Sequence, residues 1–378
     1  MLDIAQQFPV TQNHIYLNHA AMAPWPLVTE QALQQFVAEN VRHGSTNYPQ
    51  WSLLERELRQ RLQLLLNAPS IDDIGLIHNT SVGISFVAEG IDWQAGDNVI
   101  SIAQEFPSNR YPWLAQSYRG VTVKELDLNT CGEDVEGALL ALCDARTRVV
   151  AISAIQFGTG LRLNLKRIGE YCKTHQIIFC VDGIQQVGMM PLDVQAIHAD
   201  FVIADAHKWL LGPEGIAVFY VSPKQREQLR LTQFGWHMME TMGNYTSPEF
   251  IPSPTARRFE AGSPNMLGIH ALHASMGLIM EVGIEAIWAA IQERMQILIQ
   301  GFQATEHLEI LTNTSAERLS GIITVCPTVQ SSEGLFEYLK TNKVFTAPRG
   351  GGVRFSPHFY TPLEQVKEAV QLVREYLA

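Results

Sequence analysis

The stretch Ala204-Asp205-Ala206-His207-Lys208-Trp209-Leu210-Leu211-Gly212-Pro213-Glu214-Gly215 decides how the chain is read. It continues an apolar run, Asp200-Phe201-Val202-Ile203, with the length and bounding turn of a buried strand, so Lys208 stands just past a strand's C-terminal end. The other lysines lie on polar helical patterns (Lys166, Lys173, Lys340, Lys367) or near loops and strand ends (Lys124, Lys224, Lys343). Only Lys208 is set among His, Trp, Gly and Pro. Burial or nearby positive charge lowers the pKa of an amine and suits it to condense with a carbonyl. A surface lysine snorkelling out of a turn accounts for the same residues.

Working outward, short apolar runs at 74–77, 98–102, 121–126, 148–153, 177–181, 200–204 and 216–221 alternate with helical patterns. That alternation predicts βα units and an α/β fold with a mostly parallel sheet covered on both faces. Such sheets bind ligands at the C-terminal ends of their strands, where helix N-termini also point.

The residues after each run therefore carry the functional reading. After the run at 74–77, Thr80 or Ser81 can cap a helix whose free N–H groups suit a phosphate, though by itself this signal points first to an ordinary empty cap. Phe106, in Gln104-Glu105-Phe106-Pro107, can stack on a flat ring or merely close the core. Gln156-Phe157-Gly158 offers an amide side chain beside a glycine turn. Asp182 ends an all-apolar strand, where an unpaired carboxylate is costly to bury, so it needs a cation or an N–H partner. One crossover separates it from Lys208, which puts both at the same sheet edge. An acid, a lysine, a phosphate-capable helix start and an aromatic at one edge are the four parts that pyridoxal phosphate uses.

After residue 221 the pattern changes. Residues 231–262 are rich in Met, Pro, Gly and aromatics, as in a long loop region near an active site. A helical stretch follows at 266–305 with a break near Gly283. Strands near 308–311, 321–325, 343–347 and 352–355, with helices at 332–340 and from 362, then make a smaller α+β domain. The expected division is 15–262 and 263–378, with residues 1–14 packing on the smaller part. Arg349-Gly350-Gly351-Gly352-Val353-Arg354 frames two arginines with glycines, which suits a fork presented to a carboxylate or a pairing within the fold. In the helical pattern near 48–66, Trp51, Leu54, Leu58, Leu62 and Leu65 share one face, with Glu55-Arg59 and Glu57-Arg61 pairs expected on the other.

Composition narrows the classes. The 378 residues are 46% hydrophobic and 17% charged, with a net charge of −11 and no basic cluster, which argues against a nucleic-acid surface. The five cysteines form no C-x-x-C pair, so a reducing, cytoplasmic setting is expected and no metal site is. No basic-then-apolar leader and no apolar run of about 18 residues is present, so no membrane association is expected. No G-x-G-x-x-G follows the early strands, which places a dinucleotide-dependent oxidoreductase low. The intact lysine and aspartate count against a cofactor-binding pseudoenzyme.

In order along the chain, Y-L-N-H-A-A at 16–21, N-T-S at 79–81, E-F-P-S-N-R-Y-P-W at 105–113, V-D-G-I-Q-Q at 181–186, A-H-K at 206–208, F-E-A-G-S-P-N at 259–265 and V-R-F-S-P-H-F-Y at 353–360 resemble the class V aminotransferases. That family of fold-type I pyridoxal-phosphate enzymes includes cysteine desulfurases, kynureninases and isopenicillin N epimerase-like proteins. The resemblance implies pyridoxal 5'-phosphate and an amino-acid substrate altered at Cα or Cβ, by transamination, epimerisation or β-elimination. Lys208 would hold the cofactor, Asp182 its ring nitrogen and Gln185 its ring hydroxyl. Thr80, Ser81 and His207 would take the phosphate, with Ser263 reaching it from the second subunit of a homodimer. Phe106 and Asp205 would complete the cofactor site. Arg354 would clamp the substrate carboxylate, helped by Arg349, Asn18 and Gln156. Two departures matter. Phe106 stands where the desulfurases carry a proton-handling histidine, and the loop 348–353 holds no cysteine to serve as their nucleophile. Both favour the kynureninase-like and epimerase-like branches over the desulfurase alternative.

Overall fold

The computed structural model describes residues 3–378. A short strand β1 (Ile15–Tyr16) precedes seven that form the central sheet: β2 (Ile74–Ile77), β3 (Asn98–Ile102), β4 (Thr122–Leu126), β5 (Thr147–Ser153), β6 (Ile178–Asp182), β7 (Phe201–Asp205) and β8 (Ala217–Val221). Their order is β2-β8-β7-β6-β5-β3-β4. The pairs from β4 through to β7 are parallel, whereas β8 runs antiparallel to both β7 and β2. Every residue of β3, β7 and β8 is buried. Alternate side chains serve opposite faces: Val202 and Ala204 join one core, Phe201 and Ile203 the other. Burial on both faces is why these strands read as unbroken apolar runs.

The helix Thr80–Gly90 lies on the second face. A Cβ at Gly83 would come within 2.6 Å of Ile77 and 2.9 Å of Ile203, so only glycine lets the helix sit this close. The expected long helix is two, Met266–Val282 and Ile284–Gln303, bent by 80° at Gly283, whose φ is +85. The first packs against helices Leu27–His43 and Tyr48–Leu66.

β9 (Leu308–Ile310), β10 (Ile323–Pro327), helix Ser332–Thr341, β11 (Val344–Phe345), β12 (Ala347–Arg349), β13 (Gly352–Phe355) and helix Leu363–Leu377 complete the chain. The antiparallel sheet has the order β12-β13-β10-β9. The single strand expected at 343–347 is divided, because the chain changes sheets there. β11 pairs in parallel with β1, Ile15 opposite Val344, while β12 turns onto β13. The N-terminal residues, which show no periodicity, are tied to this region. The Phe8 ring stacks on Tyr360 at 3.4 Å, and the Gln365 amide donates to the Thr11 carbonyl at 2.6 Å.

The helix Tyr48–Leu66 corrects one expectation. Trp51, Leu58 and Leu62 are buried as its periodicity implies, whereas Leu54 and Leu65 are half-buried and Leu66 takes the buried place at the helix end. Arg59, however, is not on a solvated face: it donates to Glu55 and also, bidentately at 2.7 and 2.8 Å, to the buried Glu260. Arg61 is not paired with Glu57 by a hydrogen bond; it donates to the His273 carbonyl, and Glu57 meets the His273 ring. Among the described residues no single helix is long and apolar enough to cross a membrane; only the bent pair passes that test, both helices taken together.

Candidate active site

The ends of β6 and β7 lie side by side, with Asp182 opposite Ile203, and the chain leaves β7 through Asp205 into the turn that carries Lys208. Leu211, at φ +58, bends that turn back, and the wholly buried Trp209 anchors it. A cavity of about 210 Å³ opens at this edge, lined by Thr80, Ser81, Phe106, Asp182, Gln185, Asp205, His207, Lys208, Arg349 and Arg354. Three expected site residues lie outside it. Asn18 forms a parallel bridge with Ser356 and keeps a buried, unpartnered Oδ1. Gln156 lines a neighbouring hollow. Ser263 is exposed and lines two other hollows of this chain.

Burial sets the electrostatics of the cavity. Lys208 is 8% exposed, and desolvation lowers its pKa to about 8, with Asp182 opposing the shift and Arg354 adding to it. Desolvation likewise raises the Asp182 carboxyl to about 6, opposed by the Ile184 N–H it accepts at 3.0 Å and by Lys208. The Lys208 amine stands 5.6 Å from the centroid of the Phe106 ring, which meets Phe157 edge-on at 5.2 Å. The Gln185 amide is fixed at both ends, donating to the Ala20 carbonyl and accepting from the Trp209 indole, each at 2.9 Å. One of its N–H groups remains for another acceptor.

Several buried polar atoms around the cavity have no partner. The cap of helix Thr80–Gly90 is Asn79, which accepts the Val82 N–H at 2.9 Å, and not Thr80 or Ser81 as expected; the Thr80 Oγ1 is thereby left unpaired at that N-terminus. Ser81 donates to Ser108 at 2.7 Å. His207 Nδ1 lies 3.2 Å from Asp205 Oδ1 but out of line for a hydrogen bond. Arg354, 2% exposed, donates one N–H to the Phe157 carbonyl at 2.6 Å while its Nε has no partner. Burial, then Arg349, lowers its pKa to about 10. Unpaired buried donors and acceptors are expensive unless a ligand completes them.

These residues fit pyridoxal phosphate: an amine for its aldehyde, a carboxylate for its ring nitrogen, a helix N-terminus with the unpaired Thr80 hydroxyl for its phosphate, and an aromatic face for its ring. The fold and cavity define a fold-type I pyridoxal-phosphate enzyme. The chain belongs to the class V aminotransferase family, whose model, Aminotransferase class-V, matches residues 15–368. It is 30% identical over 291 residues to a probable cysteine desulfurase of Methanothermobacter thermautotrophicus, covering 75% of this chain and 71% of that protein. A probable cysteine desulfurase of Pyrococcus abyssi is 26% identical over 399 residues, covering 99% and 96%. Among solved structures, the cystine C–S lyase C-DES, in complex with cysteine persulfide, superposes with a TM-score of 0.90 at 23% identity, covering 98% of this chain and 99% of that one. The relatives named here are thus desulfurases and a C–S lyase, and they lend no support to the leaning toward kynureninase-like or epimerase-like branches.

Glu105, in the loop after β3, belongs to this edge as well. It is 5% exposed, accepts the Ser153 N–H and the Gln156 amide at 2.8 and 2.9 Å, and also receives the Ser153 hydroxyl. Burial raises its pKa to about 7, and nearby Asp182 adds to the shift. Among the described residues no thiol lines the cavity. Cys180 lies buried within β6 with its pKa pushed far up, and Cys326 Sγ lies 3.5 Å from both the Pro327 carbonyl and the Ser332 hydroxyl.

Proposed function

We propose that this chain is a lyase that removes a β-substituent, preferably through sulfur, from a small amino acid without forming a persulfide on the enzyme. The observation that carries this reading is a cavity with an amine base and no thiol. The desulfurases and the C–S lyase among its relatives supply the sulfur amino acid as substrate class.

Bound pyridoxal phosphate supplies an electron sink at Cα. In this proposal the N-terminus of helix Thr80–Gly90, with Thr80, Ser81 and His207, holds the phosphate, joined by Ser263 of a second copy. Asp182 keeps a proton on the ring nitrogen, Asp205 adds its carboxylate beside His207, Gln185 donates to the ring hydroxyl, and Phe106 covers the ring. Arg354 and Arg349 bind the substrate carboxylate, with Asn18 nearby. The Lys208 amine, whose pKa near 8 suits a base at neutral pH, takes the Cα proton and delivers it to the departing sulfur. The Cα–H and Cβ–S bonds break, the thiol leaves with that proton, and water releases pyruvate and ammonium. No oxidant or reductant is required.

A homodimer belongs to the same proposal. Two exposed aromatic pairs in the loop region, Phe234 with Phe250 and Trp236 with Tyr245, are of the kind a partner covers. Five unpaired cysteines accord with a cytoplasmic setting. The seven-stranded and four-stranded sheets, which fall before and after residue 262, support a division there, while the pairing of β1 with β11 carries residues 15–16 over to the smaller part.

The test is an assay of pyruvate and released thiol or sulfide from L-cysteine, L-cystine and β-chloro-L-alanine, run with a variant in which all five cysteines are serine. Pyruvate should form from the β-substituted substrates. Amino-group transfer to a keto acid, or racemisation with the β-substituent retained, would replace the lyase reading with one of the other two reactions of the family.

A further inference from the structure

The four carbonyls of residues 157–160, in the turn after β5, each accept a side chain from the smaller part of the chain. Arg354, in β13, donates to Phe157 at 2.6 Å and the Thr324 hydroxyl, in β10, to Gly158 at 2.7 Å. The Thr312 hydroxyl donates to Thr159 at 2.6 Å and the Ser320 hydroxyl to Gly160 at 2.7 Å. The turn is closed on itself, the Gly160 N–H on the Gln156 carbonyl at 2.9 Å and the Gln156 N–H on the Leu161 carbonyl at 3.0 Å. Gly160, at φ +76, permits that closure. The turn is thus a seat for the smaller part, and where it stands sets where Arg354 stands relative to Lys208.

Glu105 fixes the seat to the central sheet. Its Oε1 accepts the Ser153 N–H at 2.8 Å and the Gln156 amide at 2.9 Å, and its Oε2 accepts the Ser153 hydroxyl and the Asn109 amide, the latter at 3.2 Å. Ser153 is the last residue of β5, and the Asn109 oxygen is already taken by the Trp113 indole at 3.1 Å. Glu105, Asn109 and Gln156 are all buried, where hydrogen bonds to a carboxylate are strong and hold their partners stiffly. Two residues of the site flank this knot. Phe106, next to Glu105, has its ring near the Lys208 amine, and Phe157, next to Gln156, meets that ring edge-on and takes the N–H of Arg354. Glu105 itself lines the neighbouring hollow and not the reaction cavity, so a reacting group does not account for the cost of burying it.

We propose that Glu105 is a positioning residue for the substrate carboxylate: through Gln156 it fixes the seat of Arg354, and through Phe106 it keeps that seat in register with the cofactor's face. This rests on the reading of Arg354 as the carboxylate clamp and stands apart from which bond is cleaved.

The experiment titrates the holoenzyme with L-alanine and L-alaninamide, neither of which has a leaving group at Cβ, and follows the cofactor's absorbance. The ratio of the two affinities reads the clamp. Arg354→Ala should lower it about 10- to 100-fold, the cost of one or two charge-assisted hydrogen bonds. Glu105→Gln keeps the size of the side chain, but in either orientation its NH2 faces a fixed N–H donor, of Gln156 and Ser153 or of Asn109. It should lower the ratio about three- to tenfold, the range of one hydrogen bond. Gln156→Met, which removes the tie to the seat and leaves Glu105 its bonds to Ser153 and Asn109, should act in the same direction and decides the matter if Glu105→Gln does not fold. In Arg354→Ala, adding Glu105→Gln should move the ratio no further, because no guanidinium is left to position. A carboxylate that only stabilises the fold would weaken acid and amide alike. A parental ratio in either folded, cofactor-loaded variant, or a further fall in the double variant, overturns the proposal and leaves the reading of Arg354 standing. A parental ratio in Arg354→Ala overturns that reading, and the proposal with it.

Discussion

Arg354 donates to the carbonyl of Phe157 at 2.6 Å across 197 positions of sequence, tying the antiparallel sheet to the loop that follows β5. The guanidinium is thereby oriented before any substrate arrives, with its Nε buried and unpaired. Arg354→Ala should raise KM about 10- to 100-fold and change kcat less, the cost of one or two charge-assisted hydrogen bonds. Arg354→Lys should recover only part of the loss, because an ammonium lacks the planar fork. A KM unchanged in the alanine variant would remove Arg354 from substrate binding.

Asp182 sets function against stability. Its carboxyl, near 3.8 ordinarily, stands at about 6 in the fold, so the folded state holds its proton more tightly than the unfolded chain does. Stability from this group is therefore present at low pH and is lost as pH rises from about 4 through about 6. At pH 8 the buried charge costs on the order of 2–3 kcal/mol. Asp182→Asn should make the cofactor-free protein more resistant to urea at pH 8 but scarcely so at pH 4, while abolishing turnover. A variant less stable than the parent at pH 8 would show that the carboxylate is compensated in a way its hydrogen bond to Ile184 and its proximity to Lys208 do not provide.

Gly350 holds the hairpin between β12 and β13 against the loop after β5. Its φ is +63, and a Cβ there would stand 2.3 Å from the Gly158 carbonyl oxygen. Gly350→Ala should push the hairpin and Arg349 outward, at a cost of about 1–3 kcal/mol in stability. Steady-state kinetics should show a raised KM with kcat affected less. A variant with parental KM would mean that the close contact has no bearing on the site.

Much of this arrangement was legible in the chain. Strands such as β7 and β8 announce themselves because both faces are buried and no alternation intervenes. Lys208 and Asp182 stood out because a charged residue directly after such a strand is hard to explain by packing. Glu105, three residues past β3, carries a weaker form of that signal, because Phe106 and Pro107 beside it have the composition of an ordinary surface loop. Tertiary partners were not legible. Nothing in the helical spacing of Arg59 points to Glu260, 201 positions away, and the run 343–347 carries no mark of the switch between sheets. Ser263 lies outside the cavity of its own chain.

The cysteines give a further prediction. Cys180 is sealed within β6, and Cys326 is turned toward Pro327 and Ser332. Cys326→Ser should leave turnover within about twofold, as for substitutions away from a site, and Phe106→His should not confer persulfide formation. Loss of turnover in a folded Cys326→Ser protein, with a persulfide on Cys326 of the parent detected by mass spectrometry, would restore the desulfurase mechanism.

Lys208 is the point on which the whole account turns, since it is 8% exposed, stands in the cavity beside Asp182 and Phe106, and has a pKa lowered to about 8. Borohydride reduction of the protein loaded with pyridoxal phosphate, followed by peptide mapping, should place one pyridoxyl group on the peptide containing Lys208. Label on any of the other lysines, or none on Lys208, would contradict the assignment.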